Sequence, residues 1–437
     1  MKKQFFPLLL VFLLSVACSK STLTLDRSEL TLTDRGMYLT ATVNPPQELV
    51  WTSSNEKIVQ VWNGIVTPVS NGTAVVTVST LDGKASASCT VTVSGHARDL
   101  SKDGAANCYI IPEPGRYRFK CVKGNSDVEN VLKDVSGVKV LWESTFKSSV
   151  KAGDLVSSIA YEDDYVTIQT PGRAIRGNAV VAAYDASNII IWSWHLWFCP
   201  HFVPENLQQT YNDGTVWMDR NLGASMDALS SSFGLMYQWG RKDPFPGPYN
   251  NNGDLVPTTG TFEKVEASAD GSGQVSYTNK NPMSFITTSF DDSKWCYREG
   301  EENWTKLWQE ATKTIYDPCP PGWKVPSSTW KAAANGASES TAGRIRNYGG
   351  TILDYVADLG ADLAGMGIRQ VTYPAAGYWD YKGDFGSVKE KVYVWSCTRS
   401  STDPGSVLSL YVTTEKAQFQ IYNKPNGARS VRCVKDN

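Results

Sequence analysis

The sequence predicts a multidomain chain with two all-β sandwich modules followed by an α+β domain. Apolar and polar residues alternate over residues 22–94 between Asn-Gly and Asp-Gly turns, a pattern typical of a β-sandwich. Strand-like runs without a useful helical period continue to about residue 204. Gly-rich turns, short strands and two stretches with helical spacing then fill residues 205–437, which favours a mixed domain.

Residues 1–17 have the layout of a cleaved export signal. A basic start is followed by an apolar run over residues 5–14, which is too short for a membrane-spanning helix of about 20 residues. Ala17 directly before Cys18 resembles the bacterial lipobox, in which the cysteine becomes acylated, although Ser15 stands where that pattern prefers an aliphatic residue. We therefore expect a lipid anchor on Cys18. The alternative is ordinary secretion, which leaves the Cys18 thiol unexplained.

The charge balance excludes one class of partner. The chain has 42 basic and 44 acidic residues and a formal net charge of −2, so it lacks the basic footprint of a nucleic-acid-binding protein. Its 15 tryptophans and 20 tyrosines indicate folded domains and are typical of proteins that grip flat ligands such as carbohydrate. Any single ring more often belongs to a core.

Eight cysteines follow Cys18, and none belongs to a Cys-x-x-Cys pair, so zinc and thioredoxin-type sites have no support. An exported compartment permits disulfides, and the scattered spacing predicts one or two bridges with several buried thiols. The three histidines, His96, His195 and His201, all precede residue 205. This scarcity argues against a histidine-based triad or metal site in the last domain, and we expect no metal and no cofactor.

The first module, residues 18–94, carries several motifs in order. They are Val50–Asn55, Gly64–Val69, Asn71–Ala74 and Cys89–Val93. This series resembles the bacterial immunoglobulin-like domain, group 2. The resemblance implies a β-sandwich used in stalks and adhesion repeats, and it implies no chemistry.

The second module, residues 95–204, follows a polar stretch, Ser94–Asp99, that is typical of a linker. Runs such as Asn107–Ile111, Gly177–Ala183 and Ile191–Trp197 resemble a β-sandwich block found in surface lipoproteins and fimbria-associated proteins of Bacteroidetes. Within the last run, Trp192 and Trp194 share one strand face, which favours core packing over a ligand cleft.

The third segment, residues 205–437, contains the two stretches with helical spacing. An apolar stripe within 303–316 predicts one helix, and Ser327 can cap a second helix that ends at Gly336. Four motifs match a known family in order: Thr215–Ala224, Tyr237–Lys242, Asp317–Pro326 and Ser430–Val434.

This series is similar to the Fibrobacter succinogenes major paralogous domain, a family of secreted and surface-attached modules, over essentially the whole segment. The family looks related to the C-type-lectin-like fold, which implies paired N- and C-terminal strands and a variable loop face. Asp219, Arg220 and Asn221 in the first motif indicate a buried charge-assisted network rather than ligand contacts. Cys319 and Trp323 belong to a Cys-Pro-Pro-Gly-Trp corner whose prolines fix φ.

Cys397 stands where the family usually has serine. This departure makes two disulfide pairings possible within the segment, Cys397 to Cys433 and Cys296 to Cys319.

Catalytic signatures are missing from the sequence. It contains no Gly-x-Ser-x-Gly elbow, no His-Glu-x-x-His and no Walker loop, which are the common marks of hydrolases, zinc proteases and nucleotidases. Asp291 and Asp292 could form a glycosidase pair, but they stand beside Lys294 in a Ser-rich stretch that favours a solvated loop. We expect a binding protein and not an enzyme.

Together these features predict a cell-envelope lipoprotein that acts as an adhesin or a fimbria-associated binding protein, lipid-anchored in the outer membrane and surface-exposed. The lectin-like segment would be the recognition head. Its partner would be a glycan or protein on a host or bacterial surface, with fimbrial subunits as further partners. The alternative is a surface glycan-binding lipoprotein that serves polysaccharide uptake.

One aromatic stretch is the candidate ligand-binding site. Gly377–Gly383 places Tyr378, Trp379 and Tyr381 between glycines, which suits a loop that presents rings to a sugar or protein partner. The alternative is that Tyr378 and Trp379 fold inward as part of the core. In that case the segment Gly240–Ser289 becomes the next candidate.

Overall fold

The computed structural model describes residues 21–33, 36–173, 176–210, 214–225, 233–248, 253–269, 271–289, 295–296, 306–330, 345–347, 355–358, 372–403 and 405–436. The chain divides into two compact units, Met1–Ala97 and Arg98–Asn437, and the regular secondary structure of the described residues is nearly all β. Cys18 and the pair Asp291–Asp292 lie outside the described residues. No helix in the described ranges is both long and apolar enough to cross a membrane.

The first unit is a sandwich of short strands. They are β1 (Thr22–Leu25), β2 (Glu29–Leu32), β3 (Met37–Tyr38), β4 (Ala41–Asn44), β5 (Leu49–Ser53), β6 (Val59–Trp62), β7 (Ile65–Pro68), β8 (Gly72–Thr80) and β9 (Ser86–Val93). Sheet β2-β9-β8-β5 faces sheet β3-β7-β6, while β1 pairs with β4. Leu32, Val66, Val76 and Val91 from the two larger sheets meet in one core. The β-sandwich predicted for this module is confirmed.

Local sequence explains the tight β6–β7 hairpin of this unit. Asn63 and Gly64 both have positive φ, 47° and 84°, as a two-residue turn between twisted strands requires. A Cβ on Gly64 would lie 2.6 Å from the carbonyl oxygen of Leu39 and 3.3 Å from Cζ of Tyr38. Any other residue at position 64 would therefore displace the neighbouring strand.

The second unit begins with a second sandwich. Its strands are β10 (Arg98–Asp99), β11 (Cys108–Ile111), β12 (Arg116–Lys120), β13 (Gly137–Thr145), β14 (Ser158–Glu162), β15 (Tyr165–Gln169), β16 (Gly177–Tyr184) and β17 (Ile190–Phe198). Sheet β10-β12-β15-β14 faces sheet β11-β17-β16-β13 across a core that contains Tyr117, Val166 and Val181. Arg98–Asp99, predicted as part of a linker, is a strand because it pairs with β12.

Strand β17 is buried on both faces. Trp192 and Trp194 pack in the sandwich core, as predicted, whereas Trp197 belongs to a core shared with residues beyond 205. The Trp197 Nε1 also donates to the carbonyl oxygen of Ala224 at 2.9 Å. The segments 95–204 and 205–437, expected as separate domains, therefore lie in one compact unit.

Many short strands and little helix make up the described residues in the rest of the second unit. The strands are β18 (Gln208–Thr210), β19 (Val216–Met218), β20 (Met236–Gln238), β21 (Glu263–Glu266), β22 (Ser284–Thr287), β23 (Trp323–Lys324), β24 (Ile345–Asn347), β25 (Tyr355–Asp358), β26 (Thr372–Pro374), β27 (Tyr378–Trp379), β28 (Phe385–Gly386), β29 (Val392–Arg399), β30 (Val407–Val412), β31 (Ala417–Asn423), β32 (Ala428–Ser430) and β33 (Val434–Lys435). The helical elements are a 3-10 turn (Pro204–Asn206) and α1 (Val275–Lys280).

Two sheets organise this part of the unit. The sheet β18-β19-β33-β23 pairs β19, near the start of the segment, with β33 at the end of the chain. The larger sheet has the order β28-β27-β32-β29-β30-β31, with β20 also paired to β32. Two small sheets, β21-β22 and β24-β25-β26, complete the set.

The first predicted helix is wrong over its described part. Residues 306–316 form turns and bends, although Leu307 and Trp308 are buried as the apolar stripe requires. Lys313 donates to the carbonyl oxygens of Cys319 and Pro320, at 2.8 and 2.6 Å, and such tertiary contacts override the local helical preference. The second predicted helix lies, beyond Trp330, outside the described residues. The α+β character predicted for this segment is therefore not confirmed.

Candidate ligand-binding face

The predicted aromatic stretch does not form an exposed loop. Tyr378 and Trp379 form β27, and the Gly383 N–H closes a turn on the carbonyl oxygen of Asp380. Trp379 is only 6% exposed, and its Nε1 donates to the carbonyl oxygen of Pro246 at 3.0 Å. Tyr378 and Tyr381 are half-buried. The expectation of a solvent-presented ring at Trp379 is therefore corrected, because this ring packs inward.

The sheet register gathers a different set of rings around Tyr378. Trp379 pairs with Ala428, Val394 pairs with Ser430, and Tyr393 pairs with Tyr411. By alternation, Tyr378, Tyr393 and Tyr411 therefore project from one face of the sheet. The ring centroids of Tyr378 and Tyr393 lie 5.0 Å apart, and those of Tyr393 and Tyr411 lie 4.6 Å apart. All three rings are half-buried. We call these three tyrosines, together with Arg429 between the first two, the tyrosine face.

Arg429 is a buried cation in a largely aromatic environment. The residue is 7% exposed, and its guanidinium carbon lies 4.5 Å from the ring centroid of Tyr393 and 4.3 Å from that of Trp395. Its Nη2 donates to Asn423 Oδ1 at 2.8 Å, while its buried Nε and Nη1 have no hydrogen-bond partner in the part of the chain that the structure describes. Among the residues that the structure describes, no carboxylate pairs with Arg429.

The tyrosine face is positively charged at neutral pH. Burial lowers the pKa of Arg429 to about 10, so the guanidinium stays protonated. Burial raises the pKa of Tyr393 to about 12, although Arg429 opposes this shift, so the phenol stays a neutral donor. Lys391 adds a second cation, with its Nζ 5.4 Å from the ring centroid of Tyr378. Charges that are partly shielded from water produce a positive potential at the adjacent surface.

This arrangement can hold a flat ligand that carries negative charge. The rings offer area on which the apolar face of a sugar can stack, and the hydroxyls and positive potential favour carboxylate or sulfate groups. Sequence reasoning found Tyr378 but missed Tyr393, Tyr411 and Arg429. Only strand register brings them together, and the single sequence signal was the alternation of Tyr393 and Trp395 in one strand.

The first family motif builds scaffold rather than the tyrosine face. Arg220 donates from Nε and Nη2 to the two carboxylate oxygens of Asp219, at 2.7 and 2.9 Å. Arg432 donates from Nε to Asn221 Oδ1 at 3.2 Å, which links the first motif to the last. All four side chains are buried, so their hydrogen bonds fix the chain path.

The Cys-Pro-Pro-Gly-Trp corner is tied to the last strand by a disulfide between Cys319 and Cys433, with Cα atoms 6.0 Å apart. The pairings Cys397 to Cys433 and Cys296 to Cys319 are therefore wrong. The reason is that Trp323 and Lys435 pair across β23 and β33, which brings Cys433 beside the corner. The other described cysteines are buried thiols, as predicted: Cys89, Cys108, Cys121, Cys199, Cys296 and Cys397.

One polar cluster resembles catalytic machinery but is closed to solvent. Lys242 Nζ donates to Ser193 Oγ and, at 2.8 Å, to Asp243 Oδ1, and Ser193 Oγ donates to Asp243 Oδ1 at 2.6 Å. The Lys242 and Asp243 side chains are 1% and 5% exposed, and the Trp192 ring centroid lies 4.5 Å from the ammonium. No substrate can reach this serine, so the cluster contributes to packing.

A cleft of about 210 Å³ lies partly within the segment Gly240–Ser289. Its lining mixes aliphatic side chains such as Leu141 and Ile190 with the opposite charges of Glu263 and Lys280, and it includes no aromatic ring. In the described ranges, no group of three or more His, Cys, Asp or Glu residues is placed to hold a metal ion. The tyrosine face therefore remains the better candidate.

His195 is buried, and this has a consequence for pH dependence. Its Nε2 lies 2.8 Å from Asn178 Oδ1, and burial lowers its pKa to about 3. An unfolded chain protonates histidine near pH 6.5, whereas the native state excludes that proton down to about pH 3. The contribution of His195 to stability is therefore complete above pH 6.5 and is lost as the pH falls from there towards 3.

We expect the free energy of unfolding to fall by about 1.4 kcal/mol per pH unit below pH 6.5 because of this residue. Urea unfolding of the wild-type chain and of His195→Gln, compared at pH values near 7.5 and 5, measures the slope. His195→Gln should show little of this fall in the free energy of unfolding. His201→Gln, which replaces an exposed histidine, should keep the wild-type slope, and equal slopes in all three proteins would refute the assignment.

No protein-family model and no curated protein sequence matches this chain. Among solved structures, domains 5–6 of the S-layer protein SbsC share 13% identity at a TM-score of 0.15, over 41% of this chain and 96% of that chain. SGBP-B of a Bacteroides ovatus mixed-linkage glucan utilization locus, solved with a mixed-linkage heptasaccharide, shares 15% identity at a TM-score of 0.13, over 40% of this chain and 42% of that chain. Tandem immunoglobulin domains of titin share 8% identity at a TM-score of 0.15, over 40% of this chain and 95% of that chain. TM-scores this low do not establish a shared fold for the whole chain.

Proposed function

We propose that this chain is a cell-envelope lipoprotein, anchored through Cys18, that acts as an adhesin or fimbria-associated binding protein. Its C-terminal segment, as a lectin-like recognition head, would present the tyrosine face to an acidic glycan on a host or bacterial surface. The observation that carries the proposal is the buried Arg429 guanidinium, which has no carboxylate partner among the described residues and lies beneath half-buried tyrosine rings.

The energetics of Arg429 support a binding role. A buried charge without an opposite charge costs stability, and cation–π contacts of about 0.5–2 kcal/mol each offset only part of that cost. A ligand carboxylate or sulfate near the face would supply the missing charge. A sheet face with a purely structural role would be as stable or more stable with an apolar side chain at this position.

The anchor makes a separate prediction. Cys18→Ser removes the only thiol that the lipobox can acylate, so the protein should move from the membrane fraction to the soluble fraction and stop incorporating labelled palmitate. Ser19→Ala, which changes the adjacent residue, should stay in the membrane fraction with normal labelling. Continued labelling of the Cys18→Ser protein would rule out this anchor.

The tyrosine face makes a prediction about binding. Tyr411→Ala should weaken binding of the mature chain to an acidic polysaccharide by about 30-fold, because the removal of a hot-spot aromatic ring from a binding face typically costs about 2 kcal/mol. Isothermal titration against polygalacturonate and chondroitin sulfate measures the change. Urea unfolding of the same samples checks that Tyr411→Ala remains folded.

Tyr422 provides a matched control for this experiment. It is 56% exposed and pairs with Leu408, so alternation places it on the opposite face of the sheet from Tyr411. Tyr422→Ala should bind like the wild type. Equal losses in the two variants, or no binding of either polysaccharide by the wild type, would contradict the proposal.

A further inference from the structure

The first unit carries an exposed apolar row that has no part in the tyrosine face. Tyr38, Ile65 and Trp62 pair across β3, β7 and β6 and are 58%, 44% and 72% exposed. Directly paired residues project from the same face of a sheet. These three side chains therefore form one continuous surface, which we call the Trp62 row.

Backbone geometry holds the two rings at the ends of the row. Trp62 stands immediately before the Asn63–Gly64 turn, and the absence of a side chain at Gly64 leaves room for the Tyr38 ring, whose Cζ lies 3.3 Å from where a Cβ would be. Strands are spaced by 4.7–4.9 Å, so the Cα atoms of Tyr38 and Trp62, on either side of β7, lie about 10 Å apart. A spacing of this size suits two rings that stack on alternate residues of an extended oligosaccharide.

The strands that carry the Trp62 row bear polar but uncharged side chains on this face. Gln60 and Thr67 pair with each other and are exposed on the same face, two residues along the strands from Trp62 and Ile65. None of the residues of β3, β6 and β7 carries a charge. An amide and a hydroxyl beside aromatic rings match a ligand with hydroxyl groups and apolar ring faces, and they give no preference for an ion.

The row is too small for a stable protein interface. Two rings and one aliphatic side chain at these exposures offer about 400 Å², whereas each partner in a standard protein interface buries about 800 Å². We propose that the Trp62 row is a second ligand site, which binds a neutral polysaccharide chain through ring stacking. This site is independent of the acidic ligand of the tyrosine face.

The test measures binding of the mature full-length chain to cellohexaose, as an extended neutral probe, by isothermal titration. Trp62→Ala and Tyr38→Ala should each weaken binding by about 30-fold, the loss expected for a hot-spot aromatic contact. Leu81→Ala is the matched control, since Leu81 is 70% exposed in the β8–β9 turn outside the row. Circular dichroism confirms folding, and the exposure of Trp62 makes a loss of stability small.

The outcomes of these titrations distinguish the Trp62 row from the tyrosine face. Tyr411→Ala should bind cellohexaose as tightly as the wild type does. Binding of cellohexaose therefore tests the Trp62 row even if the tyrosine face does not bind acidic polysaccharide. Binding by Trp62→Ala equal to wild type, or no binding of cellohexaose by the wild-type chain, would overturn the proposal. A wild-type dimer that Trp62→Ala converts to a monomer in sedimentation experiments would also overturn it, because the occupant would then be a second copy of the chain.

Discussion

Replacing both Cys319 and Cys433 with serine is expected to lower the free energy of unfolding of the second unit by about 4 kcal/mol. The bridge joins residues separated by 114 positions, and closing a loop of this length restricts the unfolded chain by about 4–5 kcal/mol in the chain-entropy model. The two sulfur atoms also fasten the corner before β23 to the last strand, β33. Urea unfolding under oxidising conditions measures the difference.

Cys397→Ala is the control for this measurement. Cys397 is buried but forms no bridge in the structure, so its replacement should cost only about 1 kcal/mol, the typical effect of a single substitution. The free energy of unfolding of the double serine variant should not change when a reducing agent is added. The wild type, once reduced, should lose most of its stability advantage over that variant. A large loss in Cys397→Ala with no loss in the double variant would mean that another pair is bridged.

Trp379→Ala should destabilise the second unit by about 3–5 kcal/mol, the range for removal of a large buried aromatic side chain. The Trp379 ring stacks on Phe285 with a centroid distance of 5.4 Å, and it also contacts Phe245 and Phe385. Truncation would leave a cavity and remove the hydrogen-bond donor to the Pro246 carbonyl oxygen. Thermal and urea unfolding measure the loss.

Tyr381→Ala, only two residues away, is the internal comparison. Tyr381 is half-buried beyond the end of β27, so its replacement should cost well under half as much stability. The opposite result would be a small and equal loss of stability in both variants together with a large fall in ligand binding for Trp379→Ala. That result would show that Trp379 is presented to a ligand.

The modular β architecture could be predicted because its signals are local. In the first unit, Asn63 and Gly64 specify a tight hairpin by their own conformational preferences, and alternation assigns Val66 and Val76 to the core. Packing that depends on other segments could not be predicted in this way. Trp197 is buried against residues beyond 205, a contact that the alternation within residues 95–204 does not reveal.

The candidate binding site likewise has one feature that the local sequence predicted and others that it could not predict. The aromatic content of Gly377–Gly383 drew attention to Tyr378, but glycines on either side do not reveal that Trp379 faces Phe285. Tyr393, Tyr411 and Arg429 come from three other strands, and their proximity depends on register across the whole sheet. An unpaired buried charge is likewise a property of the folded environment and cannot be seen in composition.

Recognition of negative charge by the tyrosine face can be tested through Lys391, the cation beside Tyr378. The mature chain should bind polygalacturonate at least about tenfold more tightly than its neutral methyl ester, and Lys391→Gln should narrow that preference, since hydrogen bonds to ionised groups contribute about 1.5–3 kcal/mol. Lys416→Gln, at the exposed β30–β31 turn, should leave the preference unchanged. Equal affinity of the wild type for the acidic and neutral forms, or a preference that Lys391→Gln does not alter, would contradict the recognition of negative charge by the tyrosine face.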